Sequence, residues 1–315
     1  MTQRGGIGVI SNPLSGRNRR NPKLMRRLAY ILGERGELAL PEGLDRLEAE
    51  IRVFHERGID VLCINGGDGT IHQVMTALYT VYGDDTPFPQ IALLKGGTMN
   101  TIARNIGVRL SSADMLGQVA TRYHAGVPLG TTQRSLMIIN DKKAGFIYAN
   151  AGVAHFLGEY YRGGDSSPWK AIKVLTRAIV SSILGTEYAA TMFRFIAMKI
   201  SVDRQGLSHD AFVAVGVSTV ADLGFGFQAF YQTFSHPRHL HLIGVAEPVW
   251  GLTAALPRIR LARPTKREHI EDHVGREIVL EATEPVLYTI DGDMYPGEQR
   301  MTFRVGPQVT FITGQ

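Results

Sequence analysis

An apolar run that ends in a glycine turn and opens a helix constrains this chain most. Ile59 to Ile64 reads as a buried strand, Asn65-Gly66-Gly67-Asp68-Gly69-Thr70 follows, and Thr70 to Tyr82 has helical amphipathic spacing. Glycines packed this densely let the backbone turn sharply and reach left-handed dihedrals that side chains forbid. Such a turn aims successive N–H groups at one spot, and the helix behind it adds its own unpaired N–H groups and the positive end of its dipole. A phosphate is the natural guest. Asp68 repels phosphate unless a cation lies between them, so the pattern points to a magnesium nucleotide, because magnesium is held by few carboxylates plus substrate phosphates.

The pattern then repeats. Ile91 to Leu94 reads as a strand and feeds Lys95-Gly96-Gly97-Thr98-Met99-Asn100, then a helix to about Arg104. Upstream, Ile7 to Ile10 runs into Ser11-Asn12-Pro13-Leu14-Ser15-Gly16-Arg17. Leu24, Leu28, Ile31 and Leu32 recur at helical spacing, Glu37 to Leu40 suits a strand, and Leu44, Leu47, Ile51 and Phe54 mark a helix ended by Gly58. In open parallel sheets ligands bind beyond the carboxyl ends of the strands, and all three loops belong at that edge. No Gly-x-x-x-x-Gly-Lys-Ser/Thr occurs, which excludes a Walker A loop. No Gly-x-Gly-x-x-Gly follows a strand, which argues against a dinucleotide fingerprint and a protein-kinase glycine loop.

At 315 residues, with 44% hydrophobic and 20% charged residues, the chain has room for two domains with real cores. A net charge of +5 allows nucleotide, nucleic acid or phospholipid as an anionic partner without choosing among them. Nucleic acid is the poorest fit, because no aromatic and basic platform appears. The single cysteine, Cys63, excludes an internal disulfide, fits a reducing compartment and reads as a small core residue. The N-terminus lacks a signal-peptide pattern, and the Leu240 to Leu256 stretch is broken by Glu247 and Pro248. The expected location is the cytoplasm, with room for peripheral contact at the inner membrane surface.

After about Gly126 short β-rich runs dominate: Ser135 to Ile139, Phe146 to Ala149, Phe193 to Val202, Ala211 to Val217, Leu240 to Val245, Glu277 to Ala282, Val286 to Ile290 and Met301 to Val305. They predict a second, antiparallel domain, a sandwich or flattened barrel. A helical insert over 168–184 sets Lys170, Lys173 and Arg177 on one face and Ile172, Leu175, Ile179 and Ile183 on another, a pattern shared by interfacial helices and ordinary surface helices. The expected boundaries are 1–128 for the first domain and 129–302 for the second. His236, His239 and His241 lie close together, but no cysteine or carboxylate completes a metal site nearby. His269 and His273 flank Glu271 and Asp272 in the wrong order for a His-Glu-x-x-His motif and read as a solvated segment. The arginines from Arg258 to Arg267 read as an exposed face.

The loops Asn12-Pro13-Leu14-Ser15-Gly16, Gly66-Gly67-Asp68-Gly69-Thr70 and Gly96-Gly97-Thr98-Met99-Asn100, in this order, resemble the diacylglycerol kinase and sphingosine kinase catalytic family, to which bacterial soluble lipid kinases belong. Asp291-Gly292-Asp293 resembles its late Asp-Gly-Glu element, so the likeness spans nearly the whole chain. It implies an N-terminal three-layer α/β domain with a parallel sheet of NAD kinase type and a C-terminal antiparallel β-sandwich. It also implies an active site in the cleft between them and a last strand, about 303–315, returning to the first domain. ATP and Mg2+ would be the cofactors and a lipid hydroxyl the phosphoryl acceptor. On this reading Asn12, Ser15, Gly16, Arg17, Asn65, Gly66, Gly67, Asp68, Gly69, Thr70, Gly96, Gly97, Thr98 and Asn100 bind nucleotide. Asp291 is the general base, and Asp68 and Asp293 hold magnesium. The chain departs from the family at Thr101, where an Asp is frequent, at Asp293, which shortens the second carboxylate, and at Ser235-His236-Pro237-Arg238, where an Asp-Gly turn tied to a structural magnesium is absent.

Similar glycine turns occur in NAD kinases and phosphofructokinases, so a kinase of NAD or another soluble substrate is the second reading. A lipid- or nucleotide-binding regulator without catalysis is the third. A homodimer is compatible with each.

Overall fold

A computed structural model describes residues 5–314, apart from 34–36, 42, 162–172, 175, 178–179, 182–185, 187, 189–192, 225, 249–254, 256 and 266. The chain divides into two compact units: Met1–Leu136 with Lys142–Gly145 and Gly306–Gln315, and Met137–Asp141 with Phe146–Val305.

The first unit is built on a parallel sheet. Its strands are β1 (Ile7–Ser11), β2 (Glu37–Ala39), β3 (Val61–Asn65) and β4 (Gln90–Leu93), in the order β2-β1-β3-β4. The end of the last strand, β15 (Asp293–Ile312), adds to β4 in parallel, with Phe311 opposite Ile91 and Ile312 opposite Ala92. Every residue of β1 and β3 is buried, which is why both read as unbroken apolar runs. The helices are α1 (Gly16–Arg20), α2 (Pro22–Leu32), α3 (Leu44–Arg57), α4 (Asp68–Tyr82), α5 (Thr101–Asn105) and α6 (Ser112–His124). α2 packs with α6, and α3 packs with α4, one pair to each face of the sheet. Pro22 begins α2, where its missing N–H is harmless, and Gly58 ends α3 in the left-handed conformation.

This strand order fixes where a ligand goes. The chain leaves β1 for β2 on one side, then crosses back to β3 on the other. Consecutive crossovers in opposite directions send the helices after β1 and β3 to opposite faces, because such connections are right-handed. A crevice therefore opens at the carboxyl ends of these two neighbouring strands. Their register puts Ser11 opposite Asn65 and Ile64 opposite Leu93, so the loops after β1, β3 and β4 start at one level.

The second unit is antiparallel. β13 (Ile270–Gly275), β12 (Leu240–Val245), β11 (Ala214–Ser218) and β7 (Ile147–Asn150) pair in that order and lead to β14 (Glu277–Ile290). The two runs predicted at Glu277–Ala282 and Val286–Ile290 are this one strand. Its register shifts between Glu281 and Tyr288, so its first half pairs with β8 (Ile196–Val202) and its second half with β7. Such a bulge bends a strand and lets it serve two sheets. A large core cluster fills the sandwich, with Tyr148, Phe212, Ile278, Tyr288 and Phe303 among its buried members. β13, which the sequence reading took for a solvated segment, is a strand. α7 (Gly152–Tyr161) was likewise not anticipated. Of the insert expected at 168–184, Lys170, Ile172, Leu175, Ile179 and Ile183 lie outside the described residues; Lys173 and Arg177 are exposed. Among the described residues no helix is long and apolar enough to cross a membrane.

Candidate active site

The three loops lock together at the carboxyl edge of the first unit. Asn12 donates from Nδ2 to Thr70 Oγ1 at 3.0 Å, and its own N–H bonds the carbonyl of Asn65 at 2.9 Å. Ser15 Oγ donates to the carbonyls of Asn12 and Gly96, both at 3.0 Å. The amide of Arg17 also reaches Gly96 O, at 2.9 Å, leaving its guanidinium side chain exposed. Asn65 is buried and donates to Ser11 Oγ at 2.7 Å. Thr98 is exposed at the rim, and a Cβ on Gly16 would strike its hydroxyl.

The glycines serve a different purpose from the one their density suggests. Gly66, Gly67, Gly69, Gly96 and Gly97 are not among the residues with positive φ. The left-handed positions are taken by Lys95 (φ 46°) and Asn100 (φ 49°). What the glycines permit is contact between two backbones: a Cβ on Gly67 would sit 3.2 Å from the Cα of Gly97, and one on Gly97 would overlap the Cα of Gly67. Side chains there would push the second and third loops apart.

The two helix starts at this rim differ. Gly67 caps α4 and has no side chain to accept from the first-turn amides, so the cap residue leaves them open. The α5 start is closed by Asp68, whose Oδ2 accepts from the N–H of Thr101 at 2.9 Å and whose Oδ1 accepts from Ile102 at 3.0 Å. Desolvation pushes the Asp68 carboxyl above its ordinary pKa, against these two bonds, the nearby Arg104 charge and a bond from the Thr101 side chain. Each Asp68 oxygen accepts one main-chain N–H and keeps a second lone pair, so capping α5 and approaching magnesium are compatible roles. Among the described residues no group of three His, Cys, Asp or Glu is arranged to hold a metal.

Sequence reasoning missed three contributors. Asn18 is buried and donates to the carbonyls of Asn12 at 2.8 Å and Asn65 at 3.2 Å, so it ties the first loop to the second. Its signal was a lone amide among the arginines of α1. Lys95 donates to Arg109 O at 2.9 Å, and its pKa is lowered by desolvation and then by the charge of Arg17. Lys95 thus lies near enough to Arg17 to feel its charge. Thr101 is the third.

In the second unit Asp291-Gly292 forms the tip of the β14–β15 hairpin, with Ile290 paired to Asp293. Both tip residues have positive φ, 49° and 93°, as a tight hairpin turn with right-handed strand twist demands. The Asp291 carboxylate is buried and accepts from the amides of Ile147 at 2.8 Å and Phe146 at 3.1 Å. Asp293 is half-buried on the far side of the turn. Tyr295 stands close to both acids: burial first, then the charges of Asp293 and Asp291, push its phenol up to about 12. Cys63 is fully buried, and desolvation pushes its thiol up to about 12, so it is a core residue without nucleophilic character.

Residues 6–132 match the family model of the diacylglycerol kinase catalytic domain. The matched domain holds all three loops. The whole chain is similar in fold to a diacylglycerol kinase from Bacillus anthracis, with a TM-score of 0.65 and 16% identity over 98% of this chain and 96% of that one. A further structure from that organism reaches a TM-score of 0.70 at 15% identity, with the same coverage of both chains. Yeast NADH kinase, solved with NADH, is similar at a TM-score of 0.51 and 9% identity over 99% of this chain and 84% of that one. No curated protein matches the chain. The fold is therefore an α/β domain of NAD kinase type followed by an antiparallel β domain.

Proposed function

We propose that this protein is an ATP-dependent lipid kinase that transfers the γ-phosphate to a lipid hydroxyl of diacylglycerol or sphingoid type. The observation that carries the reading is the interlocking of three loops around the uncapped start of α4, at the crevice where the strand order reverses. The match of residues 6–132 to a diacylglycerol kinase catalytic domain supports the reaction class. Phosphoryl transfer needs positioning and charge neutralisation more than covalent help. The backbone amides from Gly66 to Thr70 are assigned to the ATP phosphates, and Arg17 and Lys95 to their charge. Gly96, Gly97, Thr98 and Asn100 complete the rim. Asn12, Ser15, Asn65 and Asp68 act from behind it, as fasteners of the loops.

Magnesium enters bound to the ATP phosphates. Asp68, in the second loop, and Asp293, beside the hairpin tip, are the acids proposed to approach it. Asp291 is proposed to take the proton from the lipid hydroxyl, with its orientation set by the amides of Phe146 and Ile147.

The test is incubation with radiolabelled ATP and a mixed lipid extract, with NAD in a parallel reaction. A labelled lipid is the expected product. Labelled NADP would transfer the reading to a soluble-substrate kinase, and ATP binding without any product would make the protein a regulator. Asp291→Asn, folded by circular dichroism, is expected to lose at least about a hundredfold in kcat, the lower bound for a general base. Near-normal turnover would remove Asp291 from that role.

A further inference from the structure

We propose that His209 and His269 form a binding site for a divalent transition-metal ion of the zinc class, with Glu271 fixing His209 from behind. This site is independent of the kinase reading. Glu271 and His273 alternate along β13 and project from one face, and His269 lies in the turn that leads into the strand. His209 comes from the turn between β9 (Gln205–Gly206) and β10 (Ala211–Phe212). Its Nε2 is hydrogen-bonded to Nδ1 of His269 at 3.3 Å, a contact that a bound ion would replace. Two imidazole nitrogens bound to one tetrahedral zinc at 2.0–2.1 Å stand roughly 3.3–3.4 Å apart, so exchanging the shared proton for the ion requires the rings to turn but not to separate.

The protons are arranged for the same purpose. Glu271 accepts from the amide and hydroxyl of Ser208 at 3.2 and 3.0 Å and from the amide of His209 at 3.2 Å. Its Oε1 also takes His209 Nδ1 at 2.7 Å, and its Oε2 takes His273 Nε2 at 2.7 Å. A carboxylate surrounded by donors puts the hydrogen of His209 on Nδ1, which turns the Nε2 lone pair toward His269. A histidine ligand whose other nitrogen is held by a buried carboxylate is the usual outer-shell arrangement of zinc sites. Glu271 has the burial that role needs, with its side chain 6% exposed, whereas His209 is 25% exposed and open to an ion from solvent. Among the described residues no third protein ligand joins them, so water completes the coordination. Imidazole pairs favour zinc, nickel and copper over magnesium or calcium.

The experiment titrates the full chain, without a histidine tag, with Zn2+ and separately with Ni2+ by calorimetry. One equivalent per chain is expected. His209→Ala and His269→Ala, both at exposed or partly exposed positions, should each abolish that event while leaving the circular dichroism unchanged. His273→Ala should keep the stoichiometry, because its imidazole is not a ligand. Glu271→Gln should weaken binding about 10- to 100-fold. If Glu271→Gln fails to fold, the two histidine variants decide alone. Absence of saturable binding by the wild type, loss of the event in His273→Ala, or binding undiminished in His209→Ala and His269→Ala would overturn the proposal.

Discussion

The turns after β3 and β4 carry nearly the same residues and do opposite jobs. Both put Gly-Gly between a buried strand and a helix, and their backbones meet at Gly67 and Gly97. The first leaves α4 with an uncapped N-terminus. The second leaves α5 closed, because Asp68 of the first turn occupies the amides of Thr101 and Ile102. A motif shared by two loops thus specifies close backbone approach, and a single carboxylate decides which of the two helix ends stays available to an anion. Asn100 shows the same division from the other side. By residue type it should cap α5, yet its side chain folds back onto the backbone of Gly97, and the cap comes from a neighbouring loop.

The largest expected effect tests how α4 is anchored behind its open end. His72 is buried one turn into α4, with Nδ1 2.8 Å from the carbonyl of Ala144. Desolvation, together with Lys143, lowers its pKa from 6.5 to about 4, against the hydrogen bond to Ala144. The native state therefore holds the imidazole neutral while the unfolded chain takes up a proton between these values. Stability from this residue is complete above pH 6.5 and falls as pH drops toward 4, by about 1.4 kcal/mol per pH unit. Urea unfolding at steps from pH 7.5 to 4.5 should show that slope in the wild type and a shallower one in His72→Gln. Parallel slopes in the two proteins would show that His72 titrates normally.

The next effect breaks the asymmetry itself. Asp68→Ala leaves two amides of α5 without their acceptors, comparable to deleting a helix cap, and should cost about 2 kcal/mol. Asp68→Asn keeps one acceptor and should cost less. Hydrogen exchange should rise at Thr101 and Ile102 in both variants and stay unchanged in α3. If the α5 amides stay protected, the carboxylate is not their cap.

How much of this was legible follows from which physical signal each element leaves. β1, β3 and β4 are short, buried on both faces and bounded by turn residues, so their sequences read as strands directly. β13 escaped because its apolar positions, Ile270 and Val274, frame Asp272 and alternate with His269, Glu271 and His273. Charge masked a period of two, and the same residues measured at helical spacing gave nothing. α6 carried a start signal in Ser111, whose hydroxyl accepts from the amide of Asp114 at 3.3 Å. No glycine turn leads directly into that helix, and its apolar positions are sparse, so its pattern is weaker than those of α3 and α4. The split reading of β14 came from Pro285, which interrupts the pattern at the bulge without ending the strand. In the site, the convergence of the loops was readable from topology alone. The partners of Asp68 and Asn18 were not, because those bonds join loops distant in sequence.

The smallest effect separates a loop's dihedral from its hydrogen bonds. Asn100 is buried at φ 49°, accepts from the Gly97 amide at 3.0 Å and donates to the Gly97 carbonyl at 2.9 Å. Asparagine tolerates the left-handed region at little cost, while alanine does not. Asn100→Gly keeps the dihedral and loses the two bonds, for which about 1 kcal/mol is expected. Asn100→Ala loses the bonds and strains the backbone, so it should fall about 1 kcal/mol below the glycine variant. Chemical denaturation of the three proteins side by side reads that difference. Equal stability of the alanine and glycine variants would mean that the second turn relaxes out of its left-handed position. In that case the approach of Gly97 to Gly67 would have to be maintained by the first turn alone.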